Sequence, residues 1–262
     1  MAGAYRNDCR AHIGRNMEIF VITLQKSKQR QAAIAAELSR LGITAYRFFK
    51  GPDGALGEHK TISRYDERKC LRTFGAPLVA GEIACFASHF LLWRECIAQG
   101  RPILIMEDDL TFQPGFTEVL SMTEARIEDH RFIRLYGLKS YPYKVLGEID
   151  ETRKLVRFLR GPVGTQCYGI SPEGAAALLK KADCWIKPVD DYIDGFWHHG
   201  VASKAIVPFE VSEIDQDVSQ VSIGPRKYRR KGVAKLCQET NRIMQSVARF
   251  GYNVRHRYPP GA

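Results

Sequence analysis

The sequence predicts an α/β protein built around a mainly parallel sheet flanked by helices, and three stretches carry that prediction. Glu18 to Leu24, EIFVITL, is a β-branched and aromatic run bounded by polar residues, which reads as a buried strand. Ile34, Leu38 and Leu41 follow at spacings of four and three with charged residues between them, so a helix comes next and Gly42 ends it. Gly81 to Gly100 is bounded by glycines and apolar nearly all round, as in a helix buried on most sides, and the continuous run Ile103-Leu104-Ile105-Met106 after it reads as an inner strand covered on both faces. Ser171-Pro172-Glu173 is a helix start, with a capping hydroxyl, proline in the first turn and an acid near the positive end. It lies between strands expected at Thr165 to Ile170 and Lys204 to Phe209, and this alternation of strands and helices is the mark of the class.

The remaining elements are read with less periodicity to guide them. Tyr46 to Phe49 is a second strand, closed by Gly51-Pro52-Asp53-Gly54, where strong turn formers sit together. From there to about Leu78 the chain reads as polar and irregular, and Phe132 to Tyr136 is a further strand. At 262 residues one main domain is expected, over 17–223, with a polar extension at 1–16 and a basic, helical tail at 224–262.

Composition narrows the functional classes. Hydrophobic residues make up 45% and charged residues 26%, and the 22 Gly and 12 Pro are dispersed, so most of the chain is expected to be neither disordered nor fibrous. The seven cysteines show no CxxC pair and no zinc-ligand ladder, which fits reduced thiols in a cytoplasmic protein. No apolar run approaches the roughly 18 residues that span a bilayer, and the first 16 residues lack the apolar core of a secretory signal. The net charge is +10, but from Arg226 onward there are ten cations against Glu239 alone, or +9, which leaves +1 for everything before. A basic cluster at Arg226 to Lys231 raises nucleic-acid binding as an alternative, against which stand a near-neutral body and an acidic edge to the sheet.

That edge is Glu107-Asp108-Asp109, delivered directly by the apolar strand to the side of an open sheet where ligands bind. Three adjacent negative charges repel, and partial burial raises the cost of ionising them. A divalent cation relieves both problems, and oxygen ligands suit Mg²⁺ or Mn²⁺, which take one or two carboxylates together with phosphate oxygens and water. The spacing assigns the ion to Glu107 and Asp109, with Asp108 aimed differently. A solvated acidic turn is the other reading of the triplet taken alone.

Gly81 to Phe112, GEIACFASHFLLWRECIAQGRPILIMEDDLTF, closely resembles the signature region of glycosyltransferase family 25, which includes bacterial lipooligosaccharide and collagen galactosyltransferases. The Gly-Glu-Ile start with Cys85, the Ser88-His89 pair with Trp93, and the strand ending in Glu-Asp-Asp match in order. Val21 to Leu24 with Arg30, the turn Asp53-Gly54, and Gly164 to Tyr192 extend the resemblance over about residues 17 to 223, the tail excepted. Thr23 stands where the family usually carries Asn. The resemblance implies a GT-A fold, with a Rossmann-like half binding a UDP-sugar, most often UDP-galactose. It further implies an acidic motif holding Mn²⁺ or Mg²⁺ against the diphosphate, and transfer to a glycan acceptor with inversion.

Inversion needs one general base for the acceptor hydroxyl. Asp190 of Pro188-Val189-Asp190-Asp191 matches the family's aspartate and is the first choice, with Asp191 second and Asp194 third; a helix cap is the competing role. His89 either faces the site or is a satisfied core residue. Glu82 either binds sugar hydroxyls or complements its helix dipole, and Arg30 either approaches the donor phosphates or is solvated. Thr23, Asp53, Ser88 and Asp108 complete the expected donor contacts, and Phe86, Leu91, Leu92 and Trp93 are assigned to the core. The histidine metal ligand that other GT-A enzymes carry late in the fold has no candidate after Phe209 but His256; Asp215 or Asp217 could replace it. A catalytically inactive sugar- or nucleotide-binding module is the remaining alternative.

In the tail, Val233, Leu236, Ile243, Met244, Val247 and Phe250 recur at threes and fours among cations. A basic amphipathic helix of this kind either lies on an anionic membrane, as a peripheral protein with a lipid-linked acceptor would, or packs on the domain.

Overall fold

The computed structural model describes residues 17–55, 60–214 and 233–257, with side chains from 238 onward in the last segment. The extension 1–16, Asp215, Asp217 and the cluster at Arg226 to Lys231 lie outside the described residues.

The chain opens with β1 (Glu18–Thr23), α1 (Lys28–Arg40) and β2 (Arg47–Lys50), close to the predicted limits. Ile34 and Leu38 are fully buried, as their spacing requires, and Gly42 takes the positive φ of 73° that turns the chain after the helix. The stretch expected to be irregular instead carries a 3₁₀ turn at Lys60–Arg64 and α2 (Glu67–Phe74). The missed signal is local: Asp66 caps α2 by accepting from Lys69 N–H at 2.8 Å, and Gly75 ends it with φ 87°. After α3 (Ala80–Gln99) come β3 (Ile103–Glu107), β4 (Leu110–Phe112), α4 (Phe116–Glu124), α5 (Ile127–His130) and β5 (Phe132–Arg134). The second half runs through β6 (Tyr143–Glu148), β7 (Lys154–Phe158), β8 (Cys167–Ile170), α6 (Pro172–Leu179), α7 (Val189–Ile193) and α8 (Phe196–His199). It closes with β9 (Lys204–Val207), β10 (Val211–Glu213) and α9 (Val233–Arg255).

Eight strands form one sheet in the order β2-β1-β3-β8-β5-β9-β7-β6, and β10 pairs with β4 in a separate ribbon. β1 is parallel to β2 and β3, and β5 is parallel to β9; β7 and β8 run against their neighbours. The sheet is therefore mainly parallel with two reversed strands. β3 alternates between two cores as a doubly covered strand must. Ile103 and Ile105 face α3, α6 and α7 with Phe86, Trp93, Trp185 and Tyr168. Leu104 and Met106 face α1 and α4 with Ile34, Leu38 and Phe116.

The helix expected to be buried on most sides is so: Phe86, Leu92 and Trp93 of α3 have no exposed surface. Ser171 caps α6 by accepting from Gly174 N–H at 3.2 Å, with Pro172 in the first turn. Parallel pairing of Ile22 with Glu107 brings the ends of β1 and β3 to the same edge, and that edge carries the acidic triplet.

Candidate active site

The register of β1 against β3 sets Thr23 beside the triplet. Its hydroxyl lies 2.5 Å from Asp108 Oδ2, and Arg30, in the first turn of α1, reaches Asp108 Oδ1 at 2.8 Å and Asp109 Oδ2 at 2.5 Å. Arg30 is thus a partner of the carboxylates rather than a solvated surface cation, with 18% of its side chain exposed. Alternation along the strand end sorts the triplet. Asp108 points inward and is 7% exposed, whereas Glu107 and Asp109 keep 23% and 29% of their side chains accessible.

Each carboxylate has a different electrostatic setting. Burial pushes Asp109 up to about 7, the charge of Glu107 adds to this, and Arg30 opposes it. Burial also raises Asp108, against the Thr23 hydroxyl and Arg30. For Glu107 burial is the largest influence and acts upward, but the hydrogen-bonding and charge effects of His89, Thr165 and Arg30 together outweigh it and hold the group down. Asp109 Oδ1 is buried without a hydrogen-bond partner, and so is Arg30 Nε. Among the described residues one guanidinium faces the three carboxylates, with Glu213 also within electrostatic reach of Asp109, which leaves a surplus of negative charge there. Oxygen donors, surplus charge and an orphaned carboxylate oxygen fit a hard divalent cation held by Glu107 and Asp109.

His89 lies wholly enclosed beneath Glu107. Trp93 Nε1–H donates to the Tyr168 hydroxyl at 2.9 Å, and that hydroxyl lies 2.8 Å from His89 Nδ1. His89 Nε2 is buried without a hydrogen-bond partner and lies 3.7 Å from Glu107 Oε1. The ring has no exposed surface of its own, so it meets the site only from behind Glu107.

The other sequence candidates divide. Asp53 accepts from Lys26 Nζ at 2.6 Å and from Ala55 N–H, and the Lys26 bond is the main cause of its lowered pKa. Ser88 is buried, donates to Ala84 O at 2.9 Å and lies under Gly51, where an added Cβ would stand 2.5 Å from its oxygen. Glu82 accepts from Val79 N–H at 2.9 Å, the helix-start role. Asp190 and Asp191 stand in the first turn of α7, and Asp190 Oδ1 accepts from Asp191 N–H at 2.8 Å. Asp194 is committed elsewhere, paired with Arg134 at 2.6 Å and with Val163 N–H at 2.8 Å.

Cys85 joins these groups. Its thiol is pushed well up, first by burial and then by the charges of Glu107, Asp190 and Asp109, so it lies within electrostatic reach of both the triplet and the candidate base. Three further residues escaped the sequence reading. Thr165 donates to Glu107 Oε1 at 3.1 Å, Gln166 O accepts from Glu107 N–H at 2.9 Å, and Glu213 accepts from Gln166 Nε2. Thr165 and Gln166 lie in the GTQCYG stretch already singled out, but nothing in the sequence marks Glu213.

Beside the triplet, Lys26, Lys28, Arg30 and Ile214 line an open groove of about 710 Å³ along the start of α1. Ile214 N–H donates to Asp109 O at 2.8 Å, so the groove abuts the acidic edge. No acid stands in the first turn of α1, and cations beside its N–H groups favour an anion there.

Residues 16–193 match the family described as "Glycosyltransferase family 25 (LPS biosynthesis protein)". The "Lipooligosaccharide biosynthesis protein lic2B" of Haemophilus influenzae is 36% identical over 167 residues, covering 61% of each chain. The "Procollagen galactosyltransferase 1-B" of Xenopus laevis is 28% identical over 191 residues, 67% of this chain and 30% of its own. The "Inactive glycosyltransferase 25 family member 3" of Mus musculus is 30% identical over 192 residues, 67% of this chain and 31% of its own. The chain therefore spans about a third of the length of these animal relatives.

Proposed function

The chain belongs to glycosyltransferase family 25, and from that premise we propose that it transfers a hexose, galactose foremost, from a UDP-sugar to a hydroxyl of a lipid-linked glycan with inversion, on a GT-A type of fold. One observation carries this reading: Glu107 and Asp109 emerge together at the sheet edge, next to a cationic groove at the start of α1. Lys26, Arg30 and the first N–H groups of α1 supply the positive potential that a nucleoside diphosphate needs. Mn²⁺ or Mg²⁺ held by Glu107 and Asp109 would neutralise charge on the departing diphosphate. Asp108, tied to Thr23 and Arg30, holds Arg30 across the mouth of the groove.

Inversion in one displacement requires a base opposite the leaving group and no covalent nucleophile. Asp190 takes the acceptor's proton; its Oδ1 is engaged with Asp191 N–H, so the proton goes to Oδ2. His89, held by Tyr168, and the Thr165 hydroxyl keep Glu107 aimed at the edge. The lipooligosaccharide and galactosyltransferase names of relatives support the acceptor and sugar classes.

The test is a donor screen reading UDP release with and without Mn²⁺. Wild type releases UDP from UDP-galactose only with the metal, and Asp109→Ala lowers the rate by about a hundredfold or more. Unchanged release in Asp109→Ala overturns the metal assignment. Asp190→Asn binds UDP as wild type does but does not transfer. Because one relative is named inactive, a non-catalytic nucleotide-sugar-binding module is the second reading, and UDP binding without release by wild type would establish it.

A further inference from the structure

Helix α9 docks with the side of itself that amphipathic helices usually leave in water. Gln238 packs at Gly75 after α2. Gln245 Oε1 accepts from Trp197 Nε1–H at 2.9 Å and lies 2.8 Å from His198 Nε2. Arg157 donates to Asn253 Oδ1 at 2.8 Å and to His256 O at 3.1 Å, and Asn253 Nδ2–H donates to Leu159 O at 2.8 Å. Tyr252 adds a ring contact to Phe196. At helical spacing these residues share one face, and it is the face that meets the domain.

The apolar stripe consequently points outward. Ile243, Met244, Val247, Phe250 and Val254 recur at helical spacing on the opposite face and are 55% to 70% exposed. Exposed Arg255 and Arg257 follow the stripe, and the sequence from Arg226 on carries +9 against +1 for the rest. Such a row of large apolar side chains on a soluble surface marks an interaction site. Among the described residues no helix is long and apolar enough to cross a membrane.

We infer that the outward face of α9 seats the protein on an anionic lipid surface, with Ile243, Met244, Val247, Phe250 and Val254 entering the headgroup boundary and the exposed Arg255 and Arg257 meeting lipid phosphates. The charge decides the occupant: a surplus of +9 complements an anionic bilayer and opposes a second copy of the same tail. Docking through hydrogen bonds to Trp197 and Arg157 leaves the stripe available without unfolding the domain. The lipid contact itself stands independently of the transferase reading.

The experiment is flotation of the full chain with vesicles of phosphatidylcholine, alone or mixed with phosphatidylglycerol, at low and high salt. Wild type floats with the mixed vesicles, and high salt or omission of phosphatidylglycerol releases it. The double variant Val247→Glu, Phe250→Glu loses about tenfold or more in partition, while its melting temperature and UDP release match wild type, since both side chains face away from the domain. Failure of wild type to float, or equal flotation of the variant, overturns the inference. A wild-type dimer in sedimentation that the variant abolishes, without vesicle binding, assigns the stripe to a second copy instead.

Discussion

The Thr23 hydroxyl shows how much one side chain decides at this edge. It is buried and lies 2.5 Å from Asp108, whose other oxygen is held by Arg30. Thr23→Val keeps the shape and removes the donor, leaving Asp108 with a single partner in a buried setting. A hydrogen bond to a charged group is worth about 2 kcal/mol, so urea denaturation should show Thr23→Val less stable by that order. Thr23→Ser, which keeps the hydroxyl, should avoid most of that loss. Equal stability of Val and Thr at this position would mean that Asp108 draws nothing from the hydroxyl. The sequence marks Thr23, Arg30 and the triplet as one site, because all three fall in matched blocks. It cannot show that Arg30 bridges two of the acids, since that contact joins residues almost eighty positions apart and exists only once β1 lies on β3.

Elements were legible where burial is two-sided or a cap is strong. The helix at 81–100 is apolar nearly all round and the strand after it is apolar up to Glu107, so they emerge close to the expected limits. The β6–β7 hairpin was not legible, because β6 is the last strand of the sheet and its residues are exposed or half-exposed, which removes the alternation that would reveal it. Helix α9 was read with the right period, but its orientation depends on hydrogen-bond partners on the domain, which periodicity does not contain. The loop at 161–166 shows the same limit. Val163 sits at φ 62°, a backbone region that β-branched residues avoid, and the loop is held there by the buried Arg134–Asp194 pair. A Cβ on Gly161 would lie 1.9 Å from Asp194, so Gly161→Ala must displace that carboxylate from Arg134. Breaking a buried pair costs about 3 kcal/mol or more. Because Thr165 and Gln166 leave this loop to hold Glu107, the variant should show both a lowered melting temperature and weaker UDP binding. Wild-type values for both would sever the link drawn between the clamp and the site.

At the scale of the molecule, two cores on either side of one sheet carry the stability, and a buried histidine at the end of α8 ties that stability to pH. His199 ends α8 with its ring buried: Nε2–H donates to Tyr192 O and Ile193 O at 3.2 and 3.1 Å, and Nδ1 accepts from Val201 N–H at 3.1 Å. Both nitrogens are thereby used by a neutral ring, and a proton on Nδ1 would meet the Val201 N–H head on. Burial, with Lys187 adding to it, lowers the group to about 4, against the pull of the two carbonyls. Unfolded chain therefore takes up this proton between pH 6.5 and about 4 while folded chain does not, so stability is full above pH 6.5 and declines as the pH falls through that window. A depression of this size corresponds to about 3 kcal/mol at the low end. His199→Gln should be the less stable protein at pH 7.5, since it loses the paired ring. Its disadvantage should shrink as the pH falls to 4, read as converging urea midpoints. Parallel pH curves for the two proteins would place the acid sensitivity elsewhere, in carboxylates that a cation holds below their usual range, such as Glu37 beside Arg40.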